Sequence, residues 1–475
     1  MNNKKNFRIL ALLLLIVSAC GVEQSEKNTK TTITSLAPTP PLGYNSYQSY
    51  QTYMHETEAI KTIDVMAEKY LPFGYNYFVI DDGWQVEAEL FEGTTYPKKE
   101  IGVALDEFGL LEPSKTYFPN GMAAIADYAH QKGLKFGLWI IRGIPRIAVE
   151  QNLPIKGTNY HARDIADTTS VCSWKEQNFG IDMSKPGAQE YYNALIDKLA
   201  SWGVDFIKAD DIAPYPKEIM AVVHAIENGG HKIALSLSPG NNRNQYESFL
   251  PYFKKTTMHR ISGDFWDNQP SIDVGFRVWK VCTGFEGKGT WMDLDMVPFG
   301  RLRINSPDST IVPDMPEKYR SRVSLLSNDQ MKTYITQRAL AASPIFIGGD
   351  LLTMDDYSYS LLTNKDMLAC NQNGVMGLNT FSTDTLDIFL SFDNESPTKG
   401  WFGVFNRKKF DVKVTLTKKD IGLIEYDKNY GAIENHNDFK LKDIWEGKEY
   451  KMGGAHEFTI PANGVVFMQF SEITD

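Results

Sequence analysis

Acidic side chains follow several apolar segments of this sequence, at the point where each segment turns polar. These acids are Asp81 and Asp82 in YFVIDDGW, Asp210 and Asp211 in GVDFIKADD, Asp264 in HRISGDFW, and Asp293 and Asp295 in GTWMDLDMV. Carboxylates gathered at one place either bind a divalent cation or pair for acid and nucleophilic chemistry. Lys208 and Arg260 carry positive charge beside two of these acids, which disfavours the cation.

Side chains alternate between the two faces of a strand, so residues two apart lie on the same face. This period places Lys208 beside Asp210, and Asp293 beside Asp295. It also places Arg260 on the face of Asp264, four residues later. We therefore expect the charged groups to point together into one site.

Apolar strand-like segments alternate with amphipathic helical segments from Pro38 onward, which is typical of a parallel sheet wrapped by helices. The strand candidates number eight: PLGYNSY, YFVIDDGW, KFGLWI, DFIKADD, KIALSLSP, HRISGDFW, GTWMDLDMV and SPIFIGGDL. This number predicts a (β/α)8 TIM barrel over residues 36–374, with its chemistry at the C-terminal ends of the strands. Shorter alternating segments follow and predict an antiparallel β-sandwich over residues 375–475.

One helix shows how the βα units are predicted. In FPNGMAAIADYAHQKG, Asn120 can cap the first turn and Gly133 can end the last. The apolar face is predicted to comprise Met122, Ile125, Ala126 and Ala129.

The N-terminal segment predicts export. Lys4, Lys5 and Arg8 precede a short apolar stretch that ends in VSAC, which resembles a bacterial lipobox with Cys20 as the lipidated residue. Residues 1–20 are therefore predicted to be a lipoprotein signal peptide, and residues 21–35 a polar tether. We expect a protein anchored by lipid to a bacterial membrane outside the cytoplasm, and an ordinary signal peptide is the alternative.

Composition narrows the range of partners. A net charge of −10 in 475 residues, without a long basic segment, argues against nucleic acid and favours a neutral glycan or small molecule. Cys172, Cys282 and Cys370 lack metal-site spacing, and at most one disulfide could form among them. Buried free thiols are expected instead. The oligomeric state is not predicted.

Several motifs resemble those of glycoside hydrolase family 27, the α-galactosidase and α-N-acetylgalactosaminidase group of the melibiase clan. The segments that carry the resemblance are TPPLGYNSYQSY, YFVIDDGW, FPNGMAAIADYAHQKGLKFGLW, GVDFIKADD, RISGDFWD, WMDLDMVPFG and AASPIFIGGDL. They occur in the family's order and span roughly residues 40–374.

The resemblance implies a retaining hydrolase that needs no cofactor or metal. It implies that Asp210 is the nucleophile and Asp264 the general acid and base, about 5 Å apart as retention requires. It further implies a set of residues that bind sugar hydroxyls: Asp81, Asp82, Lys208, Arg260 and Asp295.

Departures from the family motifs affect the pocket wall. Tyr44 and Tyr47 stand where the family has Trp, Trp139 stands where it has Tyr, and Gly83 replaces a Cys. Ser238 occupies the place of a Glu that reads the 2-hydroxyl of galactose, and the α-N-acetylgalactosaminidases have Ser there. Tyr44, Trp139 and Ser238 are accordingly predicted to contact substrate.

The function expected from these features is exo-acting release of terminal α-D-galactose from oligo- or polysaccharides. The alternatives on the same scaffold are an α-N-acetylgalactosaminidase and a β-L-arabinopyranosidase. Two further alternatives come from other classes: a non-catalytic glycan-binding lipoprotein and a metal-dependent barrel enzyme.

Overall fold

The computed structural model describes residues 32–238, 243–284, 287–307, 309–427 and 431–473. Within these ranges, eight parallel strands form one sheet. They are β1 (Leu42–Asn45), β2 (Tyr77–Ile80), β3 (Lys135–Ile141), β4 (Phe206–Asp210), β5 (Ala234–Leu237), β6 (Met258–Arg260), β7 (Trp291–Asp293) and β8 (Ile345–Ile347). Successive strands pair, β1 also pairs with β8, and a parallel bridge from Val297 to Ile347 joins β7 to β8. All eight predicted strands are thus present in a closed, barrel-like sheet.

Helices connect the strands. They are α1 (Glu56–Val65), α2 (Met122–Gln131), α3 (Ala188–Ser201), α4 (Pro216–Asn228), α5 (Arg243–Phe253), α6 (Gln269–Cys282), α7 (Asn328–Leu340), α8 (Asp356–Leu362) and α9 (Lys365–Gln372). In α2 the predicted apolar face is buried: Met122, Ile125, Ala126 and Ala129. The predicted Asn120 cap is wrong, because the Asn120 amide donates to Glu56 Oε1 at 2.5 Å and Gly121 occupies the cap position.

Three longer loops rise around the C-terminal ends of the strands, and each contains a small antiparallel sheet. The loop after β2 pairs Val86–Leu90 with Pro97–Val103. The loop after β3 contains Ile144–Pro145, Ala166–Val171 and Asn178–Ile181. The loop after β7 pairs Arg301–Leu302 with Arg322–Val323. These loops supply side chains to the site.

The interior of the barrel is filled by the inward-facing side chains of its strands. One apolar cluster contains Tyr77 and Val79 of β2, Phe206 of β4, Met258 of β6 and Phe346 of β8. The alternate side chains join a larger cluster between sheet and helices. This packing leaves only the upper end of the barrel for polar groups.

The C-terminal region is antiparallel. Its strands are β9 (Leu378–Ser382), β10 (Leu386–Phe392), β11 (Lys399–Asn406), β12 (Val412–Thr417), β13 (Ile424–Asp427), β14 (Gly431–Glu434), β15 (Phe439–Asp443), β16 (Glu449–Met452), β17 (Ala455–Ile460) and β18 (Val465–Glu472). Six of them form one sheet in the order β9-β10-β11-β18-β15-β16, while β12 pairs with β17 and β13 with β14. Leu416 of β12 and Phe458 of β17 share a core with Phe402 of the six-stranded sheet.

The barrel and the C-terminal sheets belong to one compact unit, which comprises residues 31–475. Trp279 of α6 stacks on Phe389 of β10 with a centroid distance of 3.6 Å. Nearby, Lys280 pairs with the buried Asp387 at 2.5 Å. The six-stranded sheet therefore packs directly against the barrel helices.

The predicted tether ends earlier than expected. Ile33–Leu36 forms a 3-10 turn whose Ile33 is buried in the main core, so the prediction that residues 33–35 form part of a tether is wrong. Residues 21–31 of the predicted tether, the predicted signal peptide and Cys20 lie outside the described ranges. Among the described helices, none has the length and apolar character needed to cross a bilayer. Cys172, Cys282 and Cys370 are buried and form no disulfide, as expected.

Candidate active site

Strand β4 delivers the central carboxylate of the site. Asp210 is its last residue, and its side chain is buried on the inward face that Phe206 and Lys208 share. Asp210 Oδ2 accepts a hydrogen bond from Trp139 Nε1 at 2.9 Å. Asp210 Oδ1 has no hydrogen-bond partner among the described residues, although it is buried. A buried carboxylate oxygen without a partner is costly unless a ligand meets it, so this oxygen is suited to reaction.

The charge of Asp210 is stabilised by its neighbours. Burial raises the pKa of this carboxyl group, but the positive charges of Lys208 and Arg260 and the Trp139 hydrogen bond together hold it below its ordinary value. Lys208 Nζ lies 3.8 Å from Asp210 Oδ2. The carboxyl group of Asp210 is therefore ionised at neutral pH and held in a fixed position.

Lys208 also reaches across the barrel to β2. Its Nζ lies 2.7 Å from Asp81 Oδ2, which accepts a second hydrogen bond from Asn45 Nδ2 at 2.7 Å. Despite its burial, the acids Asp210 and Asp81 raise the pKa of Lys208 well above its usual value. These contacts hold the buried Asp81, which follows β2, against Lys208 of β4 at the inner end of the site.

Asp82 has a different partner. Lys175, from the loop after β3, places Nζ 2.6 Å from Asp82 Oδ2, and Gln85 Nε2 donates to Asp82 Oδ1 at 3.2 Å. Burial raises the pKa of Asp82, and the Lys175 charge opposes that effect. The next residue, Gly83, has φ +104°, where a Cβ would lie 2.1 Å from Thr52 O. Glycine is thus required where the chain turns away from the acid pair.

Arg260 joins two further acids on the opposite wall. Its Nη1 lies 3.2 Å from Asp295 Oδ1, and its Nη2 lies 2.8 Å from Asp264 Oδ1. Asp295 also accepts a hydrogen bond from the backbone N–H of Phe265 at 2.6 Å. Arg260 and Asp295 are buried, whereas the Asp264 side chain is 60% exposed. Asp264 therefore stands at the mouth, where it can exchange protons with solvent.

Asp293 lies beneath this wall. Its Oδ1 accepts a hydrogen bond from the backbone N–H of Asp295 at 2.8 Å. Burial and the charge of Asp295 raise its pKa to about 7. Asp293 thus supports the backbone of a site residue and carries a proton more readily than an ordinary aspartate.

These side chains line one pocket of about 260 Å³ at the C-terminal end of the barrel. It is lined by Tyr47, Asp81, Asp82, Trp139, Trp174, Lys208, Asp210, Arg260, Gly263, Asp264 and Met296. A small cavity of about 20 Å³ adjoins the same wall, where Ser238, Asp293 and Asp295 lie beside apolar residues of the barrel core. Most of the predicted site residues are therefore brought together.

Tyr44 is the exception, and its predicted contact with substrate is wrong. It is fully buried on the outer face of β1, stacks on Phe78 at 5.7 Å and hydrogen bonds with Ser49. Its neighbour Asn45 faces inward and binds Asp81. Tyr47, three residues after Tyr44, lines the pocket instead.

The residues of the site that sequence reasoning missed include Asn45, Trp174 and Lys175. Asn45 is signalled by the alternation of β1, since it shares the inward face with Gly43. Trp174 and Lys175 lie in a loop without periodicity, so nothing in the local sequence links them to Asp82. In the described ranges, no group of three or more His, Cys, Asp or Glu side chains is arranged to hold a metal ion.

A closed parallel barrel whose pocket contains a buried, ionised carboxylate and a further carboxylate at the mouth has the arrangement of a barrel-type glycoside hydrolase. Two family descriptions match the sequence: Melibiase over residues 40–221 and Alpha galactosidase A over residues 175–373. A GH27 β-L-arabinopyranosidase structure from Geobacillus stearothermophilus is 32% identical, with a TM-score of 0.82 over 92% of this chain and 98% of that one. The chain belongs to glycoside hydrolase family 27.

Two further relatives extend the comparison. A structure from Bacillus halodurans, proposed to be an α-N-acetylgalactosaminidase, is 28% identical, with a TM-score of 0.76 over 91% of this chain and 97% of that one. An α-galactosidase from Cyamopsis tetragonoloba is 26% identical over 403 residues, which are 83% of this chain and 76% of the relative. The similarity therefore covers the catalytic barrel and most of the C-terminal region.

Proposed function

We propose that this enzyme releases terminal α-D-galactose from oligo- or polysaccharides with retention of the anomeric configuration. The observation that carries the proposal is the free Oδ1 of the ionised Asp210 in the pocket that Asp264 enters from the mouth. The barrel floor closes the inner end of the pocket, which favours a terminal sugar over an internal one.

The reaction follows from the placement of the two acids. Asp210 attacks the anomeric carbon while Asp264 gives a proton to the departing glycosidic oxygen, so that the bond to the leaving group breaks. Asp264 then takes a proton from water, which attacks the same carbon and releases Asp210. Two displacements at one carbon restore its original configuration.

The buried polar groups suit a galactose-type sugar. Asp81, Lys208 and Arg260 present charged donors and acceptors at the inner end of the pocket, where sugar hydroxyls would be desolvated. Trp139 lines the pocket beside Asp210 and donates a hydrogen bond to its carboxylate. We assign these residues, together with Asp82 and Asp295, to the binding of glycone hydroxyls.

A β-L-arabinopyranosidase is the second candidate, because the relative of that activity is 32% identical over nearly the whole chain. β-L-Arabinopyranose has the ring stereochemistry of α-D-galactose and lacks its hydroxymethyl group. An α-N-acetylgalactosaminidase is supported more weakly, by the small side chain of Ser238 at the place where the resemblance puts a Glu in the α-galactosidases.

A panel of p-nitrophenyl glycosides tests the proposal: the α-D-galactoside, the β-L-arabinopyranoside and the α-N-acetylgalactosaminide. We expect the highest kcat/KM on the α-D-galactoside and none above background in the Asp210→Ala variant. A higher value on another glycone would reassign the substrate, and a protein inactive on all three would support the glycan-binding alternative.

We also propose that the protein is lipid-anchored through Cys20 to a bacterial membrane, outside the cytoplasm. The support is the basic and apolar sequence before Cys20. Cys20→Ala should move the protein from the membrane fraction to the soluble fraction, since a lipid chain supplies the anchor. Equal membrane retention of both forms would contradict this location.

For the C-terminal region, we infer a β-sandwich domain over residues 375–475 that stabilises the barrel without contacting substrate. Its support is the core shared by the six-stranded sheet and the β12–β17 pair. Among the residues that the structure describes, none from this region lines the active-site pocket.

A further inference from the structure

Trp174 is exposed at the entrance of the active-site pocket. The residue is 53% exposed, and it lines the same pocket as Asp264, whose side chain is 60% exposed. An indole ring is a large apolar surface, and leaving half of it in water gains nothing for folding. Because Trp174 lies beside the proposed general acid, a bound ligand could cover its exposed ring.

The loop that carries Trp174 is held on both sides of this residue. Cys172 is buried with Trp139 and Ile141, and the nearby backbone N–H groups of Trp174 and Lys175 partly oppose the rise in the pKa of its thiol that burial causes. Lys175 pairs with Asp82 at 2.6 Å and lies 5.5 Å from the centroid of a Trp139 ring. The indole is thus presented in a defined position without being buried itself.

Trp174 and Trp266 both lie near Asp264, but they differ in how far other side chains cover their rings. Trp266 follows Asp264 by two residues, but the guanidinium of Arg303 covers it at 4.5 Å and Tyr47 lies 6.5 Å away. Trp174 makes no ring or cation contact with any described residue. It is therefore the indole at this entrance that is available for stacking.

We propose that Trp174 is the stacking platform for the sugar ring that leaves, so that the enzyme prefers a saccharide as leaving group. This inference rests on the proposed function. One face of a pyranose ring presents C–H groups, which pack on an aromatic face while its hydroxyl groups remain in water. A sugar held there would bring its glycosidic oxygen to Asp264.

The test compares a substrate with a leaving sugar and one without. The two substrates are α-D-galactosyl-(1→6)-D-glucose and α-D-galactosyl fluoride, whose leaving group has no ring to stack. Trp174→Ala should lower kcat/KM on the disaccharide about tenfold or more, which corresponds to about 1.4 kcal/mol, and change it less than about twofold on the fluoride. Trp174→Phe should retain most of the disaccharide activity because it keeps an aromatic face.

Phe410→Ala is the matched control, because it removes an exposed aromatic ring, 63% exposed, from the C-terminal region. It should leave both activities unchanged. Equal losses on the two substrates in Trp174→Ala would overturn the stacking role and indicate an effect through Lys175 and Asp82. Unchanged activity on both substrates would also overturn the stacking role. A wild-type protein that cleaves neither substrate would instead overturn the proposed function, and this inference with it.

Discussion

Lys208 Nζ lies 3.8 Å from Asp210 Oδ2, on the next inward position of the same strand. This spacing follows directly from the two-residue period of a β-strand. It places a positive charge beside the proposed nucleophile, where the charge favours the ionised carboxylate. The pKa of Asp210 is held below its ordinary value for this reason and despite its burial.

Lys208→Met should therefore raise the pKa of Asp210. Because the nucleophile acts only when ionised, the acid limb of the kcat/KM profile should move to higher pH, beyond any uniform loss of activity. Lys175→Met is the matched control, since Lys175 pairs with Asp82 rather than Asp210. Acid limbs that move equally in the two variants would contradict the specific role of Lys208.

Substitution of Asp264 should distinguish leaving groups. Asp264→Ala should lose about 100- to 10,000-fold on a substrate whose leaving group is a sugar, because that oxygen needs a proton. Loss on the 2,4-dinitrophenyl glycoside should be much smaller, because this phenolate departs unaided. Added azide should yield a glycosyl azide of α configuration, identified by NMR. A β azide, or equal losses on both substrates, would mean that the two acids have the opposite roles.

Asp293 makes stability depend on pH. Its pKa rises to about 7 in the folded state, so between about pH 4 and pH 7 the folded protein binds a proton that the unfolded chain releases. This contribution to stability is present at low pH and is lost as pH rises through 7, by at most about 1.4 kcal/mol per pH unit.

Asp293→Asn removes the ionisable group and isolates that contribution. The amide oxygen of the asparagine can still accept the hydrogen bond from the Asp295 N–H. Urea unfolding at pH 5 and pH 8 should show a larger loss of stability in the wild type than in the variant. Identical changes in the two proteins would indicate that Asp293 ionises normally.

The contact between Trp279 and Phe389 should matter for the stability of the whole molecule. Phe389→Ala removes a fully buried ring stacked at 3.6 Å and should cost about 3–5 kcal/mol in the free energy of unfolding. The exposed Phe410→Ala should change it by less than about 0.5 kcal/mol. Urea unfolding followed by fluorescence checks both values. A cost near zero for Phe389→Ala would show that the C-terminal sheets do not stabilise the barrel.

Much of the site was predictable because the barrel converts sequence order into spatial order. The acids of β2, β4, β6 and β7 each follow an apolar strand, and parallel strands bring their C-terminal ends together. Strand alternation then placed Lys208 beside Asp210 correctly. The same rule, applied to β1, would have placed Asn45 inward and Tyr44 outward, because a shift of one residue reverses the face.

Loop residues could not be predicted in the same way. Lys175 meets Asp82 from a position 93 residues later in the chain, through a loop whose path depends on its own hydrogen bonds. Trp174 depends on that path as well. Burial of Ile33 likewise reflects packing against the finished barrel, which the polar local sequence does not indicate.

Mechanism-based labelling tests the central claim most directly, namely that Asp210 is the nucleophile of a retaining galactosidase. Incubation with 5-fluoro-α-D-galactosyl fluoride should slow the second displacement and accumulate the glycosyl-enzyme intermediate. Proteolysis and mass spectrometry should then find one fluorogalactosyl group on the peptide that contains Asp210, and none in the Asp210→Ala variant. A label on any other carboxylate, or turnover that yields the inverted sugar as first product, would contradict the assignment.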